Sequence, residues 1–415
     1  MSNLPVIERR PWREPRDVFA EYATRRHCVW LDSAGGDSRY SILAAEPSHV
    51  ISTRSDPFAA LEKELDARRV TSDAAFPTGA AIGYFGYGLK NCIERLPARA
   101  TDDLGLPDCW VGFYDNLLVF DHTEQAVFEV GRDRPVVWSS TAIAPDRGEL
   151  RSNFTRDTYR AAILRAKEYI AAGDVYQVNL SQRFQCGIEV APAELYLTLR
   201  ETNPAPYCAY LDIGDAQILS SSPECFLSIH DRHVVTRPIK GTRPRDCDPK
   251  ELLRSPKDNA ELLMIVDLER NDLGKVCQYG SVRVSELVRV ESYATVHHLV
   301  ATVEGLLRRD VSHVDCVRAC FPGGSITGAP KIRAMEIVDE LEPHARGVYC
   351  GAIGFLGYNG VSHLNIAIRT AVHQQGRLTF HAGGGIVADS DPDAEYDETL
   401  TKAQGIIRAI ERCRR

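Results

Sequence analysis

The sequence predicts an α+β fold, on three observations. Helical and strand patterns are mixed along the chain without the regular β-α-β alternation that builds a parallel sheet. The strand-like stretches lack the long apolar runs of strands buried in such a sheet. Where the strand pattern is clearest, over residues 175–184, polar and apolar side chains alternate, as in antiparallel strands. With 415 residues, 44% of them hydrophobic and 26% charged, the chain has the composition of an ordinary globular protein. Its net charge of −8, with no basic tract beyond Arg412, Arg414 and Arg415, argues against nucleic acid as a partner. No run approaches the roughly 18 apolar residues of a membrane helix. The first fifteen residues are charged and have no apolar signal core, so the expected compartment is the cytoplasm, with no membrane contact. The twelve cysteines include no C-x-x-C pair, which indicates neither a zinc site nor a disulfide framework.

The first elements come from residues 28–50, which read as strand, turn and strand around Leu31 to Gly36. Residues 56–69 form an amphipathic helix, with Asp56 to cap it and Pro57 at its first position. Residues 80–87 are a buried strand or turn, and 117–130 a hairpin turning at His122-Thr123. Residues 131–150 lose periodicity and carry Pro135, Pro145 and Gly148, which divides an N-terminal region, 1–148, from a second one, 149–415. A helix follows over 155–172, capped by Thr155, with Tyr159, Ile163, Ala166 and Ile170 on one face and Gly173 as its stop. In the strand 175–184, Tyr176, Val178, Leu180 and Phe184 face one way and Gln177, Asn179, Ser181 and Arg183 the other. Further strands read at 217–222, 226–229, 233–237, 295–307, 349–356 and 362–371. Helices read from Ser255-Pro256 to Leu273, over 331–341, and from Asp391-Pro392 onward.

Chemistry concentrates in a few places. Lys240 leaves the strand 233–237 within Pro238-Ile239-Lys240-Gly241-Thr242-Arg243-Pro244-Arg245. Gly241 lets a backbone approach a ligand, and Thr242 offers a hydroxyl. Lys240 is a nucleophile or base if burial lowers its pKa, and otherwise part of a basic surface turn. Asp258 with Glu261, and Glu395 with Glu398, are i, i+3 pairs near helix starts. They are either solvated acids favoured by the helix dipole or, if they converge, ligands for a cation such as Mg2+. Lys402, one turn after Glu398, pairs with that acid or reaches a substrate carboxylate. His297 and His298, neighbours in a strand, face opposite sides. Gly323 and Gly328 have phosphate-loop spacing, but Ala329 stands where the lysine belongs, so nucleotide binding is rejected.

Several motifs in order carry a family resemblance. They are Ser221-Ser222-Pro223-Glu224, the Lys240 stretch, residues 260–272, Phe321 to Lys331, Ala382-Gly383-Gly384-Gly385-Ile386 and residues 395–402. Together they resemble the chorismate-utilising enzymes, most strongly between about residues 153 and 410. The resemblance implies two packed antiparallel β-sheets forming a sandwich, with helices outside and the site between the sheets. It implies Glu261 and Glu398 as Mg2+ ligands and Asp258 and Glu395 as their outer partners. Asp258 is shorter than the family's usual glutamate, so its contact would run through water. Glu224 matches the general acid, and His298 the histidine near the departing ring hydroxyl. Tyr349, Arg369, Gly383 and Gly385 match positions holding substrate carboxylates; Gly384, Gly241, Thr242 and Lys402 complete the expected substrate site. An aromatic amino-acid pocket is implied around Asp32 and Asn203 to Cys208.

Within the family, Gln177 stands where water-activating members have a lysine, and a neutral amide is no base. Lys240 stands where anthranilate-forming members usually have alanine. Both features resemble the branch that converts chorismate and ammonia to aminodeoxychorismate, toward 4-aminobenzoate and folate. Mg2+ binding the ring carboxylate, Glu224 protonating the leaving hydroxyl and Lys240 adding to the ring are then implied. The chain carries no G-x-C-x-G nucleophile elbow, so the expected ammonia source is a separate glutaminase subunit, component II. The alternatives are the pyruvate-releasing anthranilate branch and a non-catalytic chorismate-binding subunit.

Overall fold

Alternation within strands decides which side chains meet. In Tyr207–Asp212, Ala209 and Leu211 point to one side, where they pack with Ile82, Tyr84 and Trp110 of another sheet. Cys208 and Tyr210 point to the other, against Tyr196 and Leu199 of the helix Pro192–Thr202. Repeated along the strands, this gives two sheets face to face with helices on their outer surfaces, which is the expected sandwich. The computed structural model describes residues 6–34, 39–131, 148–293 and 296–414. The turn expected at Gly35-Gly36, most of the boundary expected at 131–150, and Thr295 lie outside the described residues.

Among the described residues one sheet has 12 strands and the other 10. Their ladders are antiparallel, for example Asn179 opposite Gly385 and Thr242 opposite His298. Each sheet takes strands from both sides of residue 148: Val29–Asp32 pairs Tyr207–Asp212 in the first, and Ala80–Phe85 pairs Ala352–Gly357 in the second. No helix among the described residues is long and apolar enough to cross a membrane.

Most helices start where the caps place them. Arg156–Ala171 opens with Thr155 accepting from the Thr158 amide, in a reciprocal capping box. Pro256–Val276 opens with Ser255 accepting from the Asp258 amide, and Pro392–Cys413 with Asp391 accepting from the Asp393 and Ala394 amides. Each such cap is worth about 1 kcal/mol. The helix expected over 56–69 is shorter, Phe58–Ala67; Asp56 still accepts from the Phe58 amide at 2.9 Å.

Two expected strands are redrawn in ways that matter for function. The stretch 362–371 is two strands, Val361–Ile366 in the smaller sheet and Thr370–Gln374 in the larger, with Arg369 at φ +50° between them. The chain crosses between sheets there. Gln217–Ser222 and Cys225–His230 make the same crossing at Pro223-Glu224. The two crossings lie side by side: the Ile366 amide donates to the Glu224 carbonyl at 3.0 Å and the Ser221 amide to the Arg369 carbonyl at 3.1 Å. Tyr349 sits in a turn rather than a strand, because pairing with Phe85 begins only at Ala352. In Gln177–Gly187 both faces are buried; the polar face of Gln177, Asn179, Ser181 and Arg183 looks into the molecule, not into solvent.

Candidate active site

Glu224 and Arg369 occupy the two crossings, where neither sheet's ladder continues and side chains turn into the space between. Lys240 comes from the edge strand Ile239–Pro244, at a bulge against Val296–Leu306 where Gly241 adopts φ +69°. A side chain at Gly241 would press on Asp258 at 2.9 Å, besides needing that strained φ. The bulge turns Lys240 inward: its Nζ donates to the Ser325 carbonyl at 3.1 Å.

Charge defines the cluster. Burial lowers the Lys240 pKa, while Glu261, Glu224 and Glu398 resist that shift and Lys402 assists it. Burial raises the Glu224 carboxyl, against a Ser325 hydrogen bond and the Lys240 ammonium. Burial also raises Glu261, and the neighbouring acids Asp258 and Glu395 add to it against Lys240 and Lys257. Burial pushes Glu398 the same way, but Lys402 at 2.6 Å, with Lys257 and Lys240 behind it, holds that carboxyl below its usual range. His298 is driven to about 3 by burial and by Arg369, so its imidazole is neutral at physiological pH. Its Nδ1 lies 2.9 Å from the Thr242 hydroxyl. His297, on the opposite side, is also buried, bonded to Ser292 at 2.7 Å and to Arg245.

The four acids approach one region without closing on a point. Asp258 takes Arg243 at 2.9 Å, Glu395 lies 3.6 Å from Lys257, and Glu398 pairs Lys402. Glu261 has no ion pair of its own among the described residues. No group of three His, Cys, Asp or Glu among them forms a metal cage. Gly384 leaves room beside the acids: a Cβ there would lie 3.1 Å from Glu395, 3.6 Å from Glu398 and 3.8 Å from Lys402. Gly383 and Gly385 answer to the neighbouring strand, where a Cβ would strike the Leu180 carbonyl at 2.5 Å and the Gln177 amide at 2.0 Å. Oxygen donors around an open space suit a hard cation.

The chain is similar over nearly its whole length to curated chorismate enzymes. It is 41% identical to aminodeoxychorismate synthase component 1 of Salmonella typhimurium, over 98% of each chain. It is 43% identical to anthranilate synthase component 1 of Thermus thermophilus, over 80% of this chain and 78% of that one. The crystal structure of anthranilate synthase component I from Streptococcus pneumoniae superposes with TM-score 0.79 at 32% identity, covering 89% of this chain and 92% of that one. The family model of chorismate binding enzymes matches residues 26–408. The chain belongs to this family.

Of the family-matched residues, Lys240, Glu224, Glu261, Glu398, Lys402, Arg369 and His298 form one electrostatic neighbourhood. Tyr349, matched to a position holding a substrate carboxylate, is buried with its ring stacked on His381 at 5.0 Å. Three groups escaped the sequence reading. Lys257 stands among Glu395, Glu261 and Glu398, although on sequence it is one more exposed lysine near a helix start. Ser325 contacts both Lys240 and Glu224 from a distant loop. Glu269 is buried and takes the Gly324 amide at 3.0 Å; the only signal was an acid on the face of Leu262, Ile265 and Val266. Separately, a cavity of about 260 Å³ lies where the aromatic amino-acid pocket was expected, lined by Asp32, Tyr40, Pro206, Tyr207, Cys208 and Asn365. Arg200 holds Asp32 there at 2.7 Å.

Proposed function

We propose that this chain is an aminodeoxychorismate synthase component 1, joining ammonia to chorismate in the cytoplasm and taking that ammonia from a glutaminase partner. The observation that carries the reading is Lys240: an amine turned inward at a bulge, its pKa lowered by burial, beside a carboxyl whose pKa burial raises. An amine that sheds its proton and an acid that keeps one are the two groups a ring substitution with loss of hydroxide needs. All the reacting groups fall within 149–415, which we take as the catalytic region; 1–148 completes both sheets.

In this reading Arg369 at the sheet crossing, with no ion pair among the described residues, takes a substrate carboxylate through its fork of donors. Tyr349 and the backbone of Gly383, Gly384 and Gly385 complete the substrate's surround, with Gly241 and Thr242 beside the nucleophile. Glu224 gives its proton to the departing 4-hydroxyl, which leaves as water, while the Lys240 nitrogen bonds to ring carbon 2. Ammonia then bonds to carbon 4 and the lysine leaves as the free amine, so the enolpyruvyl group stays in place. Neutral His298, fixed by Thr242, lies near the hydroxyl. Glu261 and Glu398 would hold Mg2+, with Asp258 and Glu395 behind them. Bound there, the ion supplies positive charge against the substrate's ring carboxylate.

Product identity tests the proposal. Chorismate, Mg2+ and ammonium with the purified chain are expected to give aminodeoxychorismate by mass, whereas glutamine alone gives none until a glutaminase is added. The second reading, anthranilate formation, is favoured by the Thermus thermophilus relative and would show as anthranilate and pyruvate from the same incubation. The metal has its own test: Glu261→Gln is expected to raise the Mg2+ needed for half-maximal activity by about a hundredfold or more. An unchanged Mg2+ titration would remove Glu261 from the metal site.

A further inference from the structure

The loop following His313–Cys320 reaches both Lys240 and Glu224, and three side chains clamp it: Glu269 and Arg346, both buried, and Lys331, partly buried. Lys331 donates to the carbonyls of Cys320 at 3.1 Å and Pro322 at 2.8 Å, and pairs with Asp272. Arg346, itself paired with Glu342, donates to the Ile326 carbonyl at 3.2 Å. Between them Glu269 accepts from the Gly324 amide at 3.0 Å. Gly324 must be small here: a Cβ would crowd Glu269 and Leu268 at 3.1 Å each. The next residue, Ser325, accepts from the Lys240 amine with its carbonyl and bonds the Glu224 carboxyl with its side chain. Lys331 holds the start of the loop, Arg346 the carbonyl of the residue after Ser325, and Glu269 the amide of the residue before it.

We propose that Glu269 is a positioning residue for the reaction, fixing Ser325 through the Gly324 amide so that Lys240 and Glu224 stay in register with each other. This rests on the assignment of Lys240 and Glu224 as the reacting pair. What Glu269 supplies is an acceptor oxygen rather than a charge. Its carboxyl is pushed up to about 8, first by burial, then by Asp272 and Glu224, against Lys331 and the Gly324 amide. Burial thus favours its neutral form, which accepts through the carbonyl oxygen. Glutamine, equally neutral and the same length, keeps that acceptor; alanine removes it.

The test compares Glu269→Gln and Glu269→Ala with the native chain in two measurements. The first is kcat and KM for chorismate with ammonium and Mg2+, on protein whose folded fraction is checked by thermal unfolding. Displacement of a reacting group by about 1 Å costs up to a hundredfold in rate, so Glu269→Ala is expected to lose about tenfold or more in kcat with KM little changed. Glu269→Gln is expected to keep kcat near native. The second measurement needs no turnover: the rate at which a small acylating reagent labels Lys240, mapped by peptide mass. It is expected to rise severalfold in Glu269→Ala, as the Ser325 carbonyl leaves the amine, and to stay native in Glu269→Gln. Native kcat and labelling in folded Glu269→Ala, or equal losses in both variants, would overturn the proposal. If the native chain made no aminodeoxychorismate, the functional assignment would fall, and the labelling rates would still decide whether Glu269 places Lys240.

Discussion

Glu224→Gln lowers the amination rate by about a thousandfold, within the range a positioned general acid supplies. Glutamine keeps the shape and can still meet the Ser325 side chain, so folding and chorismate binding are expected to persist. What disappears is the proton for the leaving hydroxyl. The pH profile shows this directly. Glu224 must be protonated to act, so the native rate falls as pH rises through its raised pKa; that limb is expected to vanish in Glu224→Gln. A second consequence has the opposite sign. The Glu224 carboxylate favours the charged form of Lys240, so its removal lets the Lys240 pKa fall further. Labelling of Lys240 across pH measures that shift. A basic limb unchanged in the variant would assign the proton to another group. His298 is not that group, since at about 3 it is already neutral over the working range.

Lys240→Ala is expected to cost about as much, because it removes the nucleophile itself. The native amine has to be neutral to attack. Burial pulls it that way, and Glu261, Glu224 and Glu398 pull it back. A cation among those acids would weaken their hold, so the amine is expected to react faster with metal and substrate in place. With chorismate and Mg2+ but no ammonia, the native chain is expected to accumulate an adduct on the peptide containing Lys240, of chorismate less one water. The alanine variant should show none. A native chain that makes product without a detectable adduct, matched by an alanine variant of equal rate, would take Lys240 out of the mechanism.

Much of this architecture can be read from the sequence, for physical reasons that also mark where the reading stops. Thr155, Ser255 and Asp391 announce helix starts because an unpaired amide end needs a nearby acceptor, a local requirement. Alternation at Gln177 to Arg183 announces a strand, yet not that its polar face looks inward, since that depends on which surface covers it. The crossing at Arg369 is invisible locally: no glycine marks its φ of +50°, and the β-prone residues on both sides read as one run. Family-matched motifs located Lys240, Glu224 and the four acids, whereas Lys257, Ser325 and Glu269 matter only through partners far away in the chain. The four acids gather in one region; the partners of Asp258 and Glu395, Arg243 and Lys257, are distant in the chain and unmarked by spacing, whereas the i, i+4 spacing announces the pair of Glu398 with Lys402.

The acid and the arginine belong to crossings that stitch the sheets together, whereas the lysine rides on a bordering strand paired on one side only. The first two are therefore chassis, and the third is an attachment. Exchange of the side chain at position 240 leaves the crossings and their mutual hydrogen bonds untouched, so the edge strand can change its chemical group while the frame that joins the two sheets stays as it is.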